Sequence, residues 1–197
     1  MRNLRMIEHY YRRVRRVAAC RTGSVTIEAA LVFTVLITLC MALVEYGFFL
    51  AFKGRTEAVS HSLVSVIRER SALYNGVDPL SRMDVEQLTQ LAKTMLADNA
   101  AQTFCLTVEM VSFSTGEQKQ VENYSLFSGG MAGCQLSPVK PLDTLVALSP
   151  WTSRARWLPL YQVTLSVPVP KGSLNRLLQG ARILPERVVV SAVAVRR

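Results

Sequence analysis

Glu28 is the residue with the most chemistry to explain, because it stands at the head of a long apolar run. Ala29 to Val44 carries no charge, and after Glu45 the apolar run resumes from Tyr46 to Phe52. A carboxylate inside a membrane span costs on the order of 2.5–3.5 kcal/mol on insertion scales, so its presence marks a functional position and calls for a cationic partner. Gly23 lies five residues before it, and a residue without a Cβ lets another backbone approach closely. No catalytic constellation accompanies this pair. His9 and His61 are far from any nucleophile pattern and read as solvated helix residues. Gly129-Gly130-Met131-Ala132-Gly133 lacks the lysine of a phosphate loop, so no nucleotide is expected. No cysteine has a second ligand at zinc spacing, and neither a metal nor a cofactor is expected. The chain reads as a non-enzyme.

The elements around Glu28 give it a setting. The chain has 197 residues, half of them apolar, with 23 basic and 14 acidic side chains and a net charge of +9. Spread evenly, that charge would suggest nucleic acid. It is instead concentrated in residues 1–23, where seven arginines (Arg2, Arg5, Arg12, Arg13, Arg15, Arg16 and Arg21) face one acid, Glu8. A soluble nucleic-acid binder is therefore disfavoured. A helix needs about 20 apolar residues to cross a hydrocarbon core of about 30 Å. Ala29 to Phe52 supplies roughly 36 Å at about 1.5 Å per residue. The arginines before the span, against Lys53 and Arg55 after it, predict a cytoplasmic N-terminus and an exported body. The apolar run is too long for an ordinary secretory signal, and its far end has no small-x-small cleavage site.

The junction Arg21-Thr22-Gly23-Ser24-Val25-Thr26-Ile27-Glu28 resembles that of the type IV prepilins and pseudopilins. The resemblance implies that a prepilin peptidase cuts between Gly23 and Ser24 and that the new α-amine is then methylated. It also implies that Glu28 pairs with the ammonium of Ser24 on a neighbouring subunit. The run Thr-Ile-Glu-Ala-Ala-Leu-Val looks like the TadE/TadF group of the tight-adherence (Flp, type IVb) pilus system. Leu148 to Leu165, with Ser-Pro-Trp-Thr-Ser-Arg-Ala-Arg-Trp-Leu-Pro-Leu-Tyr inside it, looks like the carboxyl-terminal half of TadF. TadF is thus favoured, with TadE left open. The chain departs from the major Flp pilins in its length and in carrying Ala29 where they have a tyrosine. The resemblance implies a minor pseudopilin that assembles or primes the fibre. Its implied partners are the peptidase, other pilus subunits, the inner-membrane assembly platform and membrane lipid. The competing reading is an uncleaved single-span membrane protein with a periplasmic partner- or ligand-binding domain.

The expected organisation is a basic leader (1–23), a transmembrane assembly helix (24–52), a stalk and turn (53–80), and a periplasmic α+β head (81–197). Ala58, Val59, Leu63, Val66 and Ile67 predict an apolar stripe on the stalk, which Asn75-Gly76 and Asp78-Pro79 would break. A second, capped helix is expected from Ser81 or Asp84 to Ala101, with Val85, Leu88, Leu91, Ala92, Met95 and Leu96 inward. Beyond Cys105 the period becomes two. Cys105 to Phe113 and Lys119 to Phe127 read as a hairpin, Tyr161 to Val169 as a half-buried strand, and Arg187 to Val195 as another strand. Ser173 to Gln179 reads as a short capped helix. Gly129-Gly130, Gly133, Pro138 to Pro141 and Pro150 to Pro159 read as loops. The economical fold is a small antiparallel sheet packed on helices, which also suits a pseudopilin head.

Cys20 falls in the leader and Cys40 in the span, leaving Cys105 and Cys134 as a disulfide candidate in an oxidising compartment. Trp151, Trp157 and Tyr161 suggest either a partner-contact patch or a cover over the core beneath a long loop. Arg154 and Arg156 lie among them. Asn123-Tyr124-Ser125 matches a glycosylation acceptor, but a strand or turn explains it as well.

Overall fold

The computed structural model of the chain describes residues 22–73, 80–96, 103–134, 136–138, 140–170, 180 and 184–196. They form helix α1 (Thr22–Leu73), helix α2 (Arg82–Met95) and strands β1 (Cys105–Phe113), β2 (Val121–Gly130), β3 (Leu160–Pro168) and β4 (Arg187–Val195), with a 3-10 helix over Leu142–Leu148. The fold is α+β: a long N-terminal apolar helix, a four-stranded antiparallel sheet and a short helix. The expected helix at Ser173 to Gln179 and the turn around Asn75 to Pro79 lie outside the described residues. The second helix, expected to reach Ala101, instead ends at Met95, because Leu96 turns extended while its N–H still donates to Ala92 O at 2.9 Å. The chain divides into two compact units, Met1–Gly47 and Phe48–Arg197.

In the first unit, α1 presents Val25, Leu31, Phe33, Ile37 and Leu43 to its surroundings. From Val25 onward this helix is long and apolar enough to cross a membrane. Its threonines do not interrupt that surface. The Thr34 and Thr38 hydroxyls donate to the carbonyls one turn back, Ala30 and Thr34, at 2.8 Å each, so their polarity is satisfied within the helix.

In the second unit, α1 buries Thr56, Val59, Ser60, Leu63, Val64 and Ile67, an i, i+3, i+4 series that lines one face. This corrects the predicted stripe, because Ala58 and Val66 are exposed. A count of apolar residues overlooks hydroxyls that find partners. Thr56 donates to Phe52 O at 2.9 Å, and Ser60 donates to Val163 O of β3 at 3.1 Å. Helix α2 begins at a capping box: Asp84 accepts from Ser81 N at 2.8 Å, and Ser81 Oγ accepts from Asp84 N at 3.3 Å. Val85, Leu88, Ala92 and Leu96 are buried, with Leu91 and Met95 packed beside them.

The strand order is β2-β1-β3-β4. Every pairing is antiparallel, with Cys105 opposite both Gly130 and Ser166, and Leu160 opposite Val195. Alternation then divides the side chains. Leu106, Val108, Met110, Val163, Leu165, Val188 and Val190 join the core made with both helices. At one end of the other face, Val111, Phe113 and Leu160 pack with Leu142 of the 3-10 helix.

Two expectations need correction here. Gly129 and Gly130 do not form a loop; they close β2. A Cβ on Gly129 would run into the Thr89 hydroxyl of α2, and one on Gly130 would lie 2.5 Å from Phe104 O, at a φ of +103° that disfavours side chains. The glycines are there because a helix and a neighbouring strand close in on the strand end. The strand predicted from Tyr161 as half-buried is in fact buried on both faces along most of its length, because the chain between β2 and β3 crosses its polar side.

Candidate functional site

The features singled out in the sequence occupy two places. Gly23 and Ser24 belong to the first turn of α1, and Glu28 stands exposed one turn further on. The arginine-rich stretch with Cys20 and His9 lies outside the described residues. Glu45 follows Glu28 along the same helix by about 26 Å and is half-buried, whereas Cys40 and His61 are exposed.

In the head, Cys105 and Cys134 form a disulfide with a Cα–Cα distance of 5.7 Å. It ties the segment after β2 to the first residue of β1 and so holds that segment over the polar face of the sheet. Beneath it are Thr107, Glu109, Gln162, Thr164 and Ser166, all fully or almost fully buried. Their hydrogen bonds go largely to the covering chain and to adjacent strands. Thr107 donates to Leu136 O at 3.3 Å, Gln162 donates to Lys140 O at 3.0 Å, and Thr164 shares a 2.9 Å bond with Ser191. Arg187 closes the corner, donating from Nε to Ser166 Oγ at 2.9 Å and from Nη2 to Thr103 O at 2.9 Å. Tyr124 on β2 donates to Glu109. Its hydroxyl is pushed above the ordinary phenol range, first by burial and then by the Glu109 and Asp143 carboxylates. Among the described residues no group of three or more His, Cys, Asp or Glu is placed to hold a metal.

The loop before β3 is a small braced hairpin. Trp151 and Trp157 form an isolated antiparallel bridge, with ring centroids 5.0 Å apart. Thr152 bonds to Arg156 O through its N–H at 3.1 Å and its hydroxyl at 2.8 Å. Ala155, whose N–H donates to Thr152 O at 3.1 Å, has a φ of 52°, a conformation costing a non-glycine residue about 1 kcal/mol or more. Lys119 secures the base, donating to Val146 O at 2.8 Å and Ser149 O at 2.7 Å with its ammonium 4.2 Å from the Trp157 centroid.

The three aromatics do not make one patch. Trp157 covers the smaller core cluster and Trp151 remains exposed, but Tyr161 is buried in the larger core on the opposite face. Leu160 and Tyr161 are consecutive strand residues, so their side chains leave on opposite sides. Asn123-Tyr124-Ser125 lies in β2. The roles of Glu109, Lys119 and Tyr124 escaped the sequence reading. Glu109 and Gln162 stand directly opposite each other, but a polar residue on a strand's second face looks the same in sequence whether water or another segment covers it.

The fold and this arrangement can be set beside known proteins. No curated protein and no solved structure matches the chain. A family model does, that of TadF, tight adherence pilin protein F, over residues 17–197. The match takes in the span as well as the whole head, including the disulfide and the braced loop. One long apolar helix also fits a membrane-anchored protein. The chain belongs to the TadF family of tight adherence pilin proteins.

Proposed function

We propose that this protein is a minor pseudopilin acting, through its N-terminal helix, in assembly or priming of the tight adherence pilus after a prepilin peptidase has cut it behind Gly23. The reading rests on the spacing of Gly23, Ser24 and Glu28 at the head of an apolar run, within a chain of the tight adherence pilin family. Cleavage would release an ammonium on Ser24. In an apolar helix bundle, that ammonium on one subunit and the Glu28 carboxylate on the next would neutralise each other, relieving the cost of on the order of 2.5–3.5 kcal/mol that an unpaired acid carries in a span. The helix is single-pass in the inner membrane with its N-terminus cytoplasmic, and the head is periplasmic, where Cys105 and Cys134 would meet oxidising conditions. The partners are the peptidase, sibling subunits, the assembly platform and lipid.

The mature N-terminus tests this reading. Intact-mass measurement of membrane-purified protein is expected to show loss of residues 1–23 and a methylated Ser24. Retention of Met1 in cells with an active prepilin peptidase would instead indicate an uncleaved single-span protein. Glu28→Ala is expected to leave cleavage intact while pilus production falls severely; a normal pilus yield from that variant would rule out the charge pairing.

A further inference from the structure

We infer that the braced loop 148–157 is a docking finger for a carboxylate-bearing protein surface, with Leu148 and Trp151 as its apolar seat and Arg154 and Arg156 as its charged rim. Leu148 is 54% exposed and Trp151 39%, and both arginines are exposed on either side of Ala155 at the hairpin tip. Tryptophan and arginine are among the residues enriched at protein interfaces and in their hot spots.

The charge is available to a partner. Among the described residues neither arginine has an ion pair or a side-chain hydrogen bond. No Asp or Glu occurs in the sequence between Asp143 and Glu186. Glu117 and Glu122 belong to the adjoining hairpin and are paired with neither arginine. Lys119 differs, because its ammonium is committed to two carbonyls and the Trp157 ring and serves the brace.

The brace also points to a protein partner. The cross-bridge between the tryptophans, the two bonds from Thr152 to Arg156 O and the left-handed Ala155 hold the tip in one shape before anything binds. Pre-organisation favours a partner of fixed geometry, since little ordering remains to be done on contact. An arginine fork matches a carboxylate through two parallel hydrogen bonds. Two arginines are few for an anionic bilayer, whose sequence-readable recognition uses clusters of about four to eight basic residues.

The test places a photo-crosslinking residue at the seat of the full-length protein in its own cells, as Leu148→p-benzoylphenylalanine, and sequences the joined peptide. The expected adduct is to an Asp- or Glu-rich segment of a second protein. Its yield should fall at least about tenfold with Arg154→Glu and Arg156→Glu together, as like charges are brought into contact. Lysines in place of the acids on the identified segment should restore it. The neutral pair Arg154→Gln and Arg156→Gln should give a smaller fall with no new repulsion, which separates lost attraction from a damaged loop. Adducts to lipid alone, an adduct indifferent to charge reversal, or no adduct from accumulated protein would each overturn the inference. It is independent of the pilus reading: an unclipped N-terminus leaves this surface in place, and an acidic partner from outside the pilus system would uphold the finger while counting against that reading.

Discussion

The two stretches of α1 use apolar residues in opposite ways. Between Val25 and Leu43 the large side chains point outward, roughly half to two thirds exposed, whereas Leu63 is wholly buried and Val59, Val64 and Ile67 nearly so. The first stretch is almost uniformly apolar; the second mixes Arg55, Glu57 and His61 with a stripe that includes two hydroxyls. A helix that is greasy on all sides suits lipid or neighbouring helices, and one that is greasy on a single side suits a protein core. Mean apolarity alone would rank the two stretches by hydrophobicity and miss that one is the anchor and the other a wall of the head.

Substitutions can break this contrast. Leu63→Ala should destabilise the head by up to about 5 kcal/mol, while Leu36→Ala in the exposed stretch should leave head unfolding unchanged; denaturant unfolding of the two variants in detergent compares them. Equal effects would mean that the first stretch also holds the head together. Next in size is the disulfide. Cys134→Ser frees a loop closed across 29 residues, for which chain entropy predicts a loss of about 3.5 kcal/mol. Thermal unfolding should register it, with membrane extraction of the protein unaffected. Gly130→Ala forces a side chain into a left-handed conformation against Phe104 O, and about 1–3 kcal/mol of lost stability is expected by the same measurement.

The smallest effect is one of pH. Tyr124 is harder to ionise in the folded head than in the unfolded chain. Above a pH of about 10 the unfolded chain therefore releases this proton first, and head stability falls as pH rises. Tyr124→Phe should flatten that part of the profile, measured by unfolding at a series of alkaline pH values. An unchanged slope would mean that the Glu109–Tyr124 contact does not govern the hydroxyl.

The sheet repeats the lesson of the helix. Its apolar face was legible, because Val108, Met110, Val163 and Leu165 alternate in the sequence and fall together in the core. Its polar face was not, because Thr107, Glu109, Gln162 and Thr164 carry the pattern of solvated positions yet are buried under the chain that Cys134 anchors. Their partners include the backbone carbonyls of Leu136 and Lys140, and a backbone carbonyl leaves no mark in residue type. The junction at Gly23 and Glu28 differs in kind, since an acid at the head of an apolar run stands out against its immediate neighbours whatever its role.

By itself the sequence determined the long apolar helix, a second capped helix starting near Ser81, the hairpin and the strands β1 and β4, because each depends on spacings within a few residues and on backbone preferences that act locally. Tertiary structure alone decided which side of α1 meets the sheet, why Gly129 and Gly130 end a strand, and how Tyr161 parts from Trp157. Those outcomes depend on contacts between segments far apart in the chain, where packing and hydrogen bonding outweigh local pattern.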